Sequence, residues 1–75
     1  MNTDDLPELP PAPAGRYRHY KSGEYEVLGV ARHSETLEAL VLYRACYGAQ
    51  GLWVRPHAMF FGRLPSGEPR FAPLP

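Results

Sequence analysis

Arg16-Tyr17-Arg18-His19-Tyr20-Lys21-Ser22-Gly23-Glu24-Tyr25-Glu26-Val27-Leu28-Gly29-Val30-Ala31 decides the fold. From Arg16 to Lys21, bases alternate with aromatic rings. That period of two is a strand's: it puts Tyr17 and His19 on one face, Arg18 and Tyr20 on the other. Ser22-Gly23 is a turn signal. Residues 24–31 resume as a strand rich in Tyr, Val and Leu. Gly29 interrupts the alternation, which marks a bulge or sharp bend. The two strands, joined through Lys21-Ser22-Gly23, form a first hairpin.

Downstream, residues 38–46 can be read two ways. Glu, Ala, Leu and Arg favour a helix, with Leu37, Leu40, Val41 and Arg44 on one face. Against this, Leu40-Val41-Leu42-Tyr43 is short and apolar on both faces, and the turn Gly48-Ala49-Gln50-Gly51 follows soon after; the segment is taken as a strand. Leu52-Trp53-Val54 reads as a further strand, ended by Pro56. His57-Ala58-Met59-Phe60 fits one helical turn, residues 60–64 fit a last strand, and Pro65-Ser66-Gly67-Glu68-Pro69 turns back toward Arg70-Phe71. Trp53, between Leu52 and Val54, is expected to anchor the core, with Phe60 and at least two tyrosines buried beside it.

Upstream the composition changes. Residues 1–14 hold four prolines and the acids Asp4, Asp5 and Glu8, but no base and no aromatic. Proline removes amide donors and biases its predecessor toward extended backbone. Residues 1–14 therefore read as a flexible, disordered, proline-rich acidic leader, and residues 15–75 as the folded domain. All nine aromatics of the 75-residue chain lie in that domain. The formal net charge of zero hides an uneven distribution: from Gly15 onward eight bases face five acids. A mildly basic domain is compatible with weak polyanion binding but lacks a dense basic stripe. The lone Cys46 excludes an internal disulfide, fits a small buried apolar role and suits a reduced cytoplasmic location. The amino terminus shows no signal-peptide pattern, and no apolar run approaches the ~20 residues of a membrane helix, so no membrane association is expected.

Several stretches occur in an order that resembles a known family: Tyr17-Arg18-His19-Tyr20-Lys21, Tyr25-Glu26-Val27, Ala31-Arg32-His33-Ser34-Glu35-Thr36, Val41-Leu42-Tyr43, Leu52-Trp53-Val54-Arg55-Pro56 and Met59-Phe60. They are similar to the uncharacterised bacterial family called "domain of unknown function 1653", from about Gly15 to Phe61. That resemblance implies a folding unit and brings neither reaction nor ligand. The hairpin and the short turn before a last strand also resemble SH3-like barrels, a likeness of fold without function. The expected architecture is mostly β: a small SH3-like antiparallel barrel, whose closure would protect strand edges.

The chemistry-bearing residues gather in Arg32-His33-Ser34-Glu35-Thr36, where the second strand turns into the third. A turn needs one or two polar residues; five consecutive functional types exceed that need. Arg32, His33, Ser34, Glu35 and Thr36, with Arg18 and Tyr20, are therefore the candidate ligand contacts. No catalytic residue is assigned. Ser34 beside His33 and Glu35 is not a relay, because adjacent strand residues point to opposite faces. His19, His33 and His57 match no metal-ligand spacing, and no cofactor is expected. The reading is a non-catalytic binding module for a protein or peptide partner. Its alternative is a nucleic-acid binder using Arg16, Arg18, Lys21, Arg32 and Arg55 with interleaved aromatics. A small enzyme around His33 and Glu35 comes third.

Overall fold

The computed structural model describes residue 6 and residues 8–75. In chain order the elements are β1 (Gly15–His19), β2 (Glu24–Arg32), β3 (Ala39–Ala45), β4 (Leu52–Pro56), α1 (His57–Phe60) and β5 (Phe71–Pro73). The five strands form one antiparallel sheet in the order β4-β3-β2-β1-β5. The ambiguous residues 38–46 thus hold a strand, and His57 opens the expected single helical turn.

The alternation read from the sequence is the alternation built. Tyr17 is buried while Arg16 and Arg18 are exposed. Tyr17 pairs with Tyr25 and Arg18 with Glu24 across the first hairpin. Its turn takes Ser22 and Gly23 through positive φ, 97° and 92°; a side chain tolerates that region poorly, so glycine is the natural occupant of one of the two places. The irregularity foreseen at Gly29 is a bulge. Val27 pairs with Tyr43 and Gly29 with Leu42, leaving Leu28 as the extra residue. Beyond it Val30 faces Val41, so the apolar side chains return to the core face despite the insertion.

Tyr17, Val27, Val41, Tyr43, Phe60 and Phe71 form the core. Proline 56 has no N–H to continue the ladder, and α1 springs from it, laying Phe60 over the sheet at 0 % exposure. The Phe60 ring stacks on Phe71 with centroids 4.0 Å apart and meets Tyr17 edge-on at 5.6 Å. Aromatic pairs in these geometries add to area burial, which a domain this small needs.

The sheet does not close. Strands β4 and β5 are its two edges and share no ladder, so a closed barrel is not what forms. The sheet nevertheless curls. Four strand spacings of about 4.8 Å separate the edges, yet the Arg55 guanidinium of β4 lies 5.4 Å from the centre of the Phe71 ring of β5. The edges meet through side chains rather than through backbone hydrogen bonds.

Three expectations are corrected. Trp53 is not a core anchor: it is 59 % exposed. It pairs with Tyr43 and so lies on the core side, but on an edge strand, about 10 Å along β4 from the Pro56 end that α1 covers. Residues 60–64 are not a strand; Phe60 closes α1, and an isolated bridge joins Arg63 to Pro69 before β5. Strand β1 ends at His19, two residues before the base–aromatic alternation does.

Of the leader, residues 1–5 and 7 lie outside the described residues. Nearer the domain, the Tyr17 hydroxyl donates to the Pro13 carbonyl at 2.9 Å and His57 Nε2–H to the Pro11 carbonyl at 2.9 Å. Ala12 packs against the core. Among the described residues no helix is long and apolar enough to cross a membrane.

Candidate binding groove

The residues singled out in the sequence separate into two places. Arg32 ends β2, and residues 33–38 form the turn into β3. His33 Nδ1 accepts from the backbone N–H of Glu35 at 3.1 Å and of Thr36 at 3.3 Å. Thr36 Oγ1 accepts from the Glu38 N–H at 3.2 Å. The His33 N–H donates to the Glu38 carbonyl at 2.8 Å, and the Leu37 N–H to the His33 carbonyl at 2.9 Å. Leu37 takes φ 64° to complete the reversal. His33 and Thr36 thus supply acceptors for turn amides the ladder cannot reach. Ser34 and Glu35 stand exposed. Among the described residues, no carboxylate forms an ion pair with His33.

Arg18 and Tyr20 sit at the opposite end of β2, eight residues or about 26 Å along the strand from Arg32. Arg18 pairs with Glu24 at 3.6 Å. Tyr20 meets His19 in a tilted arrangement with centroids 4.6 Å apart, and its ring centre lies 5.7 Å from Lys21 Nζ and 5.8 Å from the Arg70 guanidinium. The geometry does not join these two residues to residues 32–36. The three histidines lie on β1, the β2–β3 turn and α1, and among the described residues no three His, Cys, Asp or Glu side chains gather as a metal site.

Arg18 and Tyr20 line an open concavity of about 430 Å³ with Glu68, Pro69 and Leu74, and a third place is concave too. Where the core face runs past α1, Tyr25, Tyr43, Tyr47, Trp53 and Arg55 line a groove of about 400 Å³, closed at one end by the loop from Gly48 to Gly51. Tyr47 is 54 % exposed. Gly48 and Gln50 take positive φ, 58° and 54°, which turns the loop back toward Trp53. The Tyr25 and Tyr47 hydroxyls share a hydrogen bond of 2.6 Å. That bond, then burial, pushes the Tyr25 phenol up to about 12, so it stays neutral. Arg55 Nε donates to the Tyr43 hydroxyl at 3.4 Å. Burial, then the charges of Arg55, Arg70 and Lys21, holds the neighbouring His19 below its ordinary value.

The family model described as "Protein of unknown function (DUF1653)" matches residues 15–73. The chain belongs to this family. A solved structure, the crystal structure of a DUF1653 protein from Bordetella bronchiseptica, is 35 % identical, with a TM-score of 0.74 over 84 % of this chain and 87 % of that one. No curated protein matches the chain.

In this DUF1653 domain the groove residues Tyr47 and Trp53 escaped a reading based on polar clustering, and Arg55 entered it only through the nucleic-acid alternative. Trp53 looked like core material because a large aromatic usually is, and Tyr47 was given no role. The available signal was the loop between them: a glycine-bounded turn flanked by Tyr and Trp brings the two rings side by side. Chemically, the groove offers aromatic faces for apolar groups, phenolic O–H groups as donors and one guanidinium.

Proposed function

We propose that this DUF1653 domain is a non-catalytic binding module, and that it holds an extended peptide segment of a protein partner in the groove of Tyr25, Tyr43, Tyr47, Trp53 and Arg55. One observation carries the reading: Trp53 stands 59 % exposed on the core side of the sheet, facing other aromatics across a concavity instead of packing under α1. An indole open in a concavity beside other aromatics offers a surface suited to a ligand, and Tyr and Trp dominate binding hot spots. We read the curled five-stranded sheet, with its single helical turn before β5, as an SH3-like barrel open along one seam, a shape that takes extended ligands between aromatic-lined loops.

On this reading residues 32–36 are a hairpin cap, with Ser34 and Glu35 free to make secondary contacts. Nucleic acid is the weaker alternative. Arg18 and Arg44 are matched by Glu24 and Glu26 on the outer face, while the pairing of Arg32 with Ala39 puts it on the other face. An amide and indole chemical-shift titration with peptide pools and short oligonucleotides tests the proposal. Peptides should move the Trp53 indole N–H and the amides of Tyr47 and Arg55. Shifts produced only by oligonucleotides, centred on Arg16, Arg18 and Lys21, would overturn it.

A further inference from the structure

We infer that the groove selects a carboxylate-bearing peptide segment, with the carboxylate on Arg55 and flanking apolar side chains against Trp53 and Tyr47. This deepens the groove reading above and rests on it.

The charge inventory of the groove is one-sided. Ten residues line it, and none is Asp or Glu, while Arg55 is cationic. Arg18 pairs with Glu24 and Arg44 with Glu26. Arg55 is half-buried, and its contacts are the Tyr43 hydroxyl and the face of Phe71. Neither carries a formal charge. A guanidinium presents five N–H donors in a planar fork suited to a carboxylate, and here the Nε–H reaches Tyr43 while the terminal nitrogens remain for a ligand.

Two further features point the same way. Burial, then the charges of Arg55, Arg70 and Lys21, hold the His19 ring toward the neutral form, so Arg70 and Lys21 add positive charge beside Arg55 at this seam. In addition, Tyr25 and Tyr47 form one hydrogen bond between two hydroxyls. One hydroxyl hydrogen is used in it; the other is left to donate. The free donors of the groove, guanidinium and phenol, therefore face a ligand that accepts. The aromatic walls require that ligand to be apolar on either side of its charge. An acidic residue within a run of Pro, Leu or Tyr meets both demands.

The test uses the full chain and two matched pools of capped pentapeptides, with Glu or Gln at the centre and Pro, Leu or Tyr around it. Shifts of the Trp53 indole N–H and the Arg55 Nε–H report binding. The Glu pool should bind about 10-fold or more tightly than the Gln pool, as expected when a charge-assisted bond is lost. Arg55→Gln should level the two pools, and Arg55→Lys should retain part of the preference. Since Arg55 also lies on Phe71, a melting curve accompanies each variant; if Arg55→Gln unfolds, wild type and Arg55→Lys decide. Equal binding of both pools at Trp53 would overturn the inference and leave the groove reading standing. If neither pool moves Trp53, both fall. Preference for Glu peptides that maps to Arg16, Arg18 and Lys21 would overturn the inference as well.

Discussion

The part of the sheet face under α1 and the part beyond it are built from the same residue types and end differently. Under α1, Tyr17, Val27, Val41 and Phe71 close on Phe60 and exclude solvent. Beyond it, Tyr47 and Trp53 stay open around Arg55. The difference lies in the cover, not in the sheet: Tyr43 is buried and its cross-strand neighbour Trp53 is not. A single helical turn is too short to shield both parts. The comparison teaches that in a domain this small the amount of cover decides which aromatics become core and which become surface for use.

The largest effect expected from breaking that contrast is at Phe60. Phe60→Ala should cost about 3–5 kcal/mol, much of the stability of so small a domain, and urea denaturation should show it. Trp53→Ala, an exchange of similar size, should leave the unfolding midpoint within about 1 kcal/mol of wild type while abolishing the peptide-induced shifts. If Trp53→Ala destabilises as much as Phe60→Ala, the two parts are one core and the groove is not a separate site.

Much of the covered part was legible in the sequence. Alternation separated Tyr17 from Arg18 and Tyr20, Gly29 announced the bulge beside Leu28, and Pro56 announced the break before α1. The open part was not legible, because a period of two tells which face a side chain takes and not whether anything covers that face. Whether β4 is central or an edge depends on ladders between residues far apart in the chain. The polar turn misdirects for a related reason. Residue types show that His33 and Thr36 are able to bind; only geometry shows His33 Nδ1 and Thr36 Oγ1 receiving backbone amides of their own turn.

That turn supplies a smaller effect and a control far from both parts. His33→Ala removes an acceptor shared by two exposed amides, which water can partly replace, so the loss should be about 1 kcal/mol or less. Peptide binding in the groove should be unchanged. Reduced peptide affinity in this variant, with the fold intact, would move the site toward residues 32–36 and away from Trp53.

The smallest effect lies at the seam between the two parts. His19 touches Phe71 at 4.7 Å on the covered side and Tyr25 at 6.4 Å on the open side. Burial, followed by the charges of Arg55, Arg70 and Lys21, lowers its pKa in the folded protein. The unfolded chain, with an ordinary histidine value of about 6.5, then binds more protons in the interval below that value. Stability must therefore rise with pH through the interval. Its contribution is fully present above about pH 6.5 and is lost as pH falls toward the depressed folded value. Melting temperatures taken from pH 8 down to 5, above the range where carboxylates dominate, should bend downward below about pH 6.5 in wild type. The difference between wild type and His19→Gln isolates this residue from His33 and His57, and the bend should be weaker in the variant. Arg55→Gln should weaken it too, because it removes the largest of the three charge contributions to His19. A bend unchanged in His19→Gln would show that His19 is not its source; a bend weakened in His19→Gln but not in Arg55→Gln would mean that the charge of Arg55 does not reach the seam, and the two parts would then be electrostatically separate.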